Sequence, residues 1–505
     1  MPFDGLTPWK RWIYPAVLVV FALTAQPAFA AGWSLMLQQG QIGLTLPDIH
    51  SGGWAVTGIR ADVVTAVEAD NRAATVHFRP GSRLRAAGVV QESADSSLQL
   101  EDVRVDLRDV TLTVNLKGTE PLPDRSTVAG HVLVEVGALN HPRLKRQGWR
   151  FEGTVNGPLT DLSVEGQVRS DAGLVADVTV RNVPGEFMFA GIAAQIEGEQ
   201  GGKAMAGTLA DWPEVLELDA GQVRAEVELR MAPDTPLALH GQLDFDGVAG
   251  LMDRTAISDL NGRLLVSLER GSLFARFRDV TIGQINSGIG IGPVRFLADY
   301  EAPQSDALAG VLNLQQATAG FLDGRLRVAP GAIDLSTKPW QVPVDVYDVS
   351  LARLLQVYPT EGLEGTGELS GRIPVLISDA GIKVEQGKIS AIAPGGVLEL
   401  PAERLQAMLG SSEAMTLVVE ALQNFHYSVL ESTIDYDEKG KLVLDLSLEG
   451  ENPEVRGGQP VVLNISLEED IPALLTSLQL SGRVNEAVTE RVRERLQQSG
   501  QEAVP

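Results

Sequence analysis

The chain has 505 residues, more than one compact core usually holds, and its 44% apolar content is too high for a disordered polymer. Lys and Arg total 41 against 66 Asp and Glu, a formal charge of -25, so nucleic acid is repelled and is excluded as a partner. Cysteine is absent, which excludes disulfides and thiolate metal sites.

At the N-terminus Lys10 and Arg11 precede the apolar run WIYPAVLVVFALTA, residues 12–25, and QPAFA then ends on Ala28 and Ala30 in an A-x-A arrangement. The pattern predicts a secretory signal peptide over residues 1–30. Residues 12–33 are also long and apolar enough to cross a bilayer, so an uncleaved anchor in the inner membrane stays open as the alternative. In either case the body of the chain is exported. No later stretch approaches the ~20 apolar residues that a second span needs.

From residue 31 onward the chain alternates. Val103, Val105 and Leu107 alternate with Arg104 and Asp106, and after Asp109 the phase resumes as Val110, Leu112, Val114 and Leu116. Val223, Ala225, Val227, Leu229 and Met231 alternate with Arg224, Glu226, Glu228 and Arg230. Leu237, Leu239, Leu243 and Phe245 face away from His240, Gln242, Asp244 and Asp246. Successive strand residues point to opposite sides, so each run predicts a strand with one apolar and one polar face. The signals NGP (156–158), DAG (171–173), EGEQGGK (197–203), ERG (269–271) and DEKG (437–440) read as turns between hairpin strands.

Helical patterns are few and late. Arg353, Leu354, Leu355, Val357 and Tyr358 fall in a short helix-like segment after Asp348, and Pro401 can start another that carries Leu405, Met408 and Leu409. Between the next turns, GKLVLDLSLEGENP (440–453) places Leu442, Leu444, Leu446 and Leu448 on one face, and Gly450, Asn452 and Pro453 end the strand. In NEAVTERVRERLQQ (485–498), Val488, Val492 and Leu496 are spaced four apart, an amphipathic C-terminal helix that caps a sheet edge or binds a partner.

Residues 34–460 contain no linker, so the expected fold is mainly β: an elongated, curled, antiparallel-rich sheet, an incomplete barrel or groove. Strands of about ten residues would number roughly 40 and, at ~4.8 Å spacing, reach at most ~190 Å. A flat sheet of that size would leave its apolar face in water, so it must fold onto itself or hold something apolar.

Motifs for chemistry are weak. His50, His77, His131, His141, His240 and His426 show no H-E-x-x-H or paired spacing, so no metal site and no cofactor is expected. GTGELSG (365–371) has one residue too many for a dinucleotide fingerprint, and there is no G-x-S-x-G elbow, so no catalytic residue is assigned and the chain is not read as an enzyme. Asp435 and Asp437 with Gly440 lack the further oxygen ligands of a calcium loop and read as a hairpin tip. Asn424 and Tyr427 either anchor polar groups at the end of the apolar face or satisfy local backbone.

The run PVDVYDVSLARLLQVYPTEGLEGTGELSGRIPV (343–375) resembles an AsmA-type repeat of strand, short "LL" helical turn and Gly-punctuated hairpin. With GKISAIAPGGVLEL (387–400), ALQNFHYSVLESTIDYDEKGKLVLDLSLEGENP (421–453) and PVVLNISLEEDIPALLTSLQ (460–479), it resembles the C-terminal region of the YdbH family, formerly labelled "dicarboxylate transport". The resemblance covers about residues 300 to 498 and divides the chain into a signal or anchor (1–30), a β-rich groove segment (31–300) and a YdbH-like C-terminal segment (301–498). It implies the periplasm of a Gram-negative envelope, phospholipid transfer between the inner and outer membranes, and a small outer-membrane lipoprotein at the C-terminal end.

On this reading Leu442, Leu444, Leu446, Leu448, Val223, Val227, Leu229, Leu243 and Phe245 line an apolar groove for phospholipid tails, and Val488, Val492 and Leu496 form the partner helix. The alternative is a scaffold for outer-membrane assembly with an interior filled by its own side chains. A small-acid binding protein, as the older label suggests, lacks a two-lobed α/β pattern and a basic cluster.

Overall fold

The computed structural model describes residues 33–470 except 52, 93–96, 118, 184–185, 214, 233–234, 236, 254, 288, 358–362, 400–418 and 456. The signal or anchor segment, the helix expected from Pro401 and the stripe of Val488, Val492 and Leu496 lie outside the described residues. Among the described residues the fold is mainly β, a large antiparallel sheet of 29 strands with few short helices, as the alternation requires. Many of these strands run longer than the expected ten or so residues, up to the 19 of Ser97–Asn115. Two compact units divide the chain: Met1–Val248 with Leu264–Leu273, and Ala249–Arg263 with Phe274–Pro505.

In the first unit, register places apolar residues directly opposite one another from strand to strand. Leu84, Val105, Val134, Phe151, Val168, Ala176, Ala194 and Ala225 form one row across eight strands. Directly opposed residues point to the same side, so this row is one continuous apolar stripe. The other face carries Arg104, Glu135, Arg150 and Arg169 in register, with an ion pair between Arg83 and Asp106 at 2.7 Å. Exposed pairs of this kind contribute about 0–1 kcal/mol each, so the sheet is held mainly by its ladder and its apolar side. A local core of Val67, Ala69, Ala74, Val76, Leu112 and Val114 closes part of the face.

The EGEQGGK stretch is not a plain turn. Helix α1 (Gly198–Thr208) occupies it, leaving strand Phe187–Glu197 and entering strand Leu216–Met231 after a short connection. Its glycines are poor helix formers in isolation, so packing supplies the stability. A Cβ on Gly202 would lie 2.9 Å from the Leu218 Cβ, and the buried hydroxyls of Thr208 and Ser170 meet at 3.1 Å. Close approach to the strand is what those small residues permit.

In the second unit the same register holds. Val294, Ala319, Leu326, Val346, Gly371, Ile389, Ser432, Leu446 and Ile465 stand opposite one another along nine strands. Arg327, Asp345, Arg372, Lys388, Thr433, Asp445 and Ser466 form the polar row behind them. Arg372 donates to Asp345 at 2.6 Å, and Ser466 donates to Asp445 at 2.7 Å. Helix α2 (Leu351–Val357) is the short helix expected after Asp348. A helical turn at residues 419–422 precedes strand Phe425–Tyr436.

Candidate functional site: a half-covered apolar face

The four leucines of strand Lys441–Glu451 have two different surroundings. Leu448 is 3% exposed, packed in a core with Phe425, Tyr427, Leu430, Leu369, Val419 and Leu422. Leu442, Leu444 and Leu446 are half-buried, on the same face of the same strand. Leu444 stands between Ile434 and Leu467, and Leu446 between Ser432 and Ile465. Ile465 and Leu467 are 36% and 42% exposed, so the greasy surface continues outward to strand Val461–Asp470. That strand pairs with Lys441–Glu451 alone among the described strands.

The first unit presents the same arrangement. Val227 and Leu229 are half-buried opposite Ile192 and Ala190, while Val223 is buried opposite Ile196. Arg224, Glu226, Glu228 and Arg230, on the reverse side, are exposed. A Cβ on Gly241 would meet the Val227 Cγ2 at 3.9 Å, so strand Ala238–Met252 turns Gly241 toward the Val227 face. By alternation Leu243 and Phe245, both half-buried, join that face. The nine described groove candidates therefore fall into two groups of apolar stripe, one in each unit, and two of them, Leu448 and Val223, are enclosed by the protein's own side chains.

Polar anchors at the end of the C-terminal stripe explain why it stops. Asn452 is buried; its side-chain amide donates to the Glu420 carbonyl at 2.8 Å, and its Oδ1 accepts from the Glu454 N–H at 3.0 Å. It ties the strand end to the helical turn that seals Leu448. The Tyr427 hydroxyl donates to the Thr366 carbonyl at 2.7 Å, and burial pushes its pKa up. Tyr427 thus satisfies local backbone, and the Asn424 Oδ1 accepts from the His426 Nε2 at 3.1 Å. Asp437 holds the hairpin tip through the Lys439 and Lys441 N–H groups, and Asp435 accepts from the Gln386 N–H at 2.8 Å.

The sequence reading missed Asn452 as an anchor and Asp435 as a backbone partner. It also passed over the recurrence of Asp-Val-Thr/Ser-Leu/Ile at residues 109–112, 279–282 and 348–351. Each of those aspartates has a positive φ, 55°, 51° and 54°. The visible signal was the shift in apolar phase at Asp109.

Among the described residues no three metal-ligating side chains cluster, and no helix is long and apolar enough to cross a membrane. What the faces offer chemically is hydrocarbon contact over many strands, with no charged side chain in the two in-register rows and Glu469 opposite Leu442 at the edge of the C-terminal stripe.

Residues 129–493 match the family model described as YdbH-like, intermembrane phospholipid transport protein YdbH. No curated protein and no solved structure matches the chain.

Proposed function

Because the chain belongs to the YdbH-like family, we propose that it carries phospholipid between the inner and outer membranes of the periplasm, with acyl chains lying along the half-covered apolar stripes. The observation that supports this reading most is the in-register apolar row left half-open, with Leu444 and Leu446 opposite Leu467 and Ile465. Each methylene that leaves water for such a surface gains about 0.8 kcal/mol, while a charged head stays in solvent. Sheet hydrogen bonds are already made along the rows, so a chain passing from one leucine to the next breaks none of them. Binding by equivalent sites gives passage a shallow profile.

The filled core around Phe425 and Leu448 favours the scaffold reading for that end alone. In this proposal it is a structural stop beside the conduit, and the outer-membrane lipoprotein would meet the exposed side of strand Val461–Asp470. The test is to isolate the full chain from a Gram-negative envelope in mild detergent, exchange to detergent-free buffer and extract bound lipid. Stoichiometric phospholipid in the native chain, reduced by Leu444→Glu without loss of folding, is the expected result. A folded native chain free of lipid overturns the conduit.

A further inference from the structure

In several strands the apolar residues change parity in sequence yet stay on one face. Val105 and Leu112, seven apart, stand opposite Val134 and Val128, six apart. Val346 and Val349 stand opposite Gly371 and Leu369, and Val384 and Gly387 opposite Tyr436 and Ile434. One extra residue lies in each interval, a β-bulge, and a residue with left-handed backbone marks it: Asp109, Asp348 and Gln386, at φ of 55°, 54° and 55°. Without that residue, everything beyond it would turn its apolar side chains to the polar face.

Asp109, Asp279 and Asp348 share a further feature. A glycine faces each one: a Cβ on Gly130, Gly262 or Gly324 would approach Val110 Cα, Val280 Cα or the Asp348 carbonyl oxygen to 2.5, 2.7 or 2.6 Å. Aspartate tolerates the left-handed region at modest cost, whereas a β-branched residue does not. Asp279 shares the left-handed backbone and the facing glycine, and half-buried apolar side chains lie on both sides of it: Phe277 before it, Val280 and Ile282 after it, with Arg278 and Thr281 half-buried between them. Phe277 packs edge-on to Phe296 at 5.3 Å, on the face shared with Ala317 and Val328.

We propose that these left-handed aspartates are positioning residues for lipid passage: each inserts one residue that returns its strand's apolar side chains to the lipid-bearing face. The inference rests on the conduit reading above. It makes the continuity of the stripe a property of single backbone positions, separable from strand pairing itself.

The test is a photocrosslinking scan of the full chain in its envelope, with a photoreactive residue placed singly at positions 275 to 282 and adducts read by phosphate-labelled phospholipid. Lipid adducts are expected at Ala275, Phe277, Val280 and Ile282 and not at Arg276, Arg278 or Thr281, a parity switch at Asp279. Asp279→Gly, which keeps the left-handed backbone, is expected to retain the Ile282 adduct that Asp279→Val loses, with the Phe277 adduct present in both. Adducts of one unbroken parity through residue 282, or an Ile282 adduct untouched by Asp279→Val, overturn the positioning role alone. The parity switch in the native chain decides the matter even if Asp279→Val does not accumulate. Adducts at no position overturn the conduit and this role together.

Discussion

Leu448 and Leu444 occupy the same face of one strand, four residues apart, and differ in what lies above them. Against Leu448 pack Val419 and Leu422, delivered by a helical turn that Asn452 fastens to the strand end, and Phe425, the first residue of the neighbouring strand. Leu444, half-buried, lies between its strand neighbours Ile434 and Leu467 and outside that core cluster of described residues. An identical alternation thus produces a sealed core in one place and a half-open stripe in the other. Coverage, not strand pattern, separates structure from candidate site.

The sharpest way to break this contrast is to charge both positions. Leu448→Glu buries an unpaired carboxylate and is expected to cost more than about 4 kcal/mol, unfolding the C-terminal core in a thermal melt. Leu444→Glu can turn its carboxylate toward solvent and is expected to cost about 1 kcal/mol, with bound phospholipid as the quantity lost. Comparable melting temperatures for the two variants would erase the distinction. Truncation is milder: Leu448→Ala is expected to cost about 3 kcal/mol and Leu444→Ala less than about 1 kcal/mol, read by chemical denaturation. Within the same core, Tyr427→Phe removes the bond to the Thr366 carbonyl and is expected to cost about 1 kcal/mol.

The smallest effect concerns the polar face. Burial works to raise the Asp299 pKa, but hydrogen bonds from Arg278 and Gln315 outweigh it and hold the carboxyl below its ordinary value. A lowered folded-state pKa contributes stability that is present above the unfolded value and lost as the pH falls through the folded one. Stability should therefore decline below about pH 4, and Asp299→Asn should flatten part of that decline. The stripes carry no titrating group in that row, so bound lipid should not follow the same curve.

Much of the fold was legible in the residues. Val223 to Leu229 and Leu442 to Leu448 alternate so plainly that strand, face and antiparallel pairing follow from side-chain geometry. Helix α1 was not legible, because Gly198, Gly201, Gly202 and Gly207 lower helix propensity and only contact with Leu218 and Ser170 explains it. Strand length was misjudged for a related reason. A phase change such as that at Asp109 reads as a break between two short strands, whereas a single left-handed residue lets one strand of 19 residues continue.

By itself, the sequence determined that the chain is built from two-faced strands and, having no cysteine, excluded thiol chemistry, because side-chain alternation and composition are local or additive properties. Only the tertiary structure decided which apolar residues are covered and which stay half-open. That outcome depends on register between distant strands and on where residues 419–422 come to rest, and neither is written in any one stretch of chain.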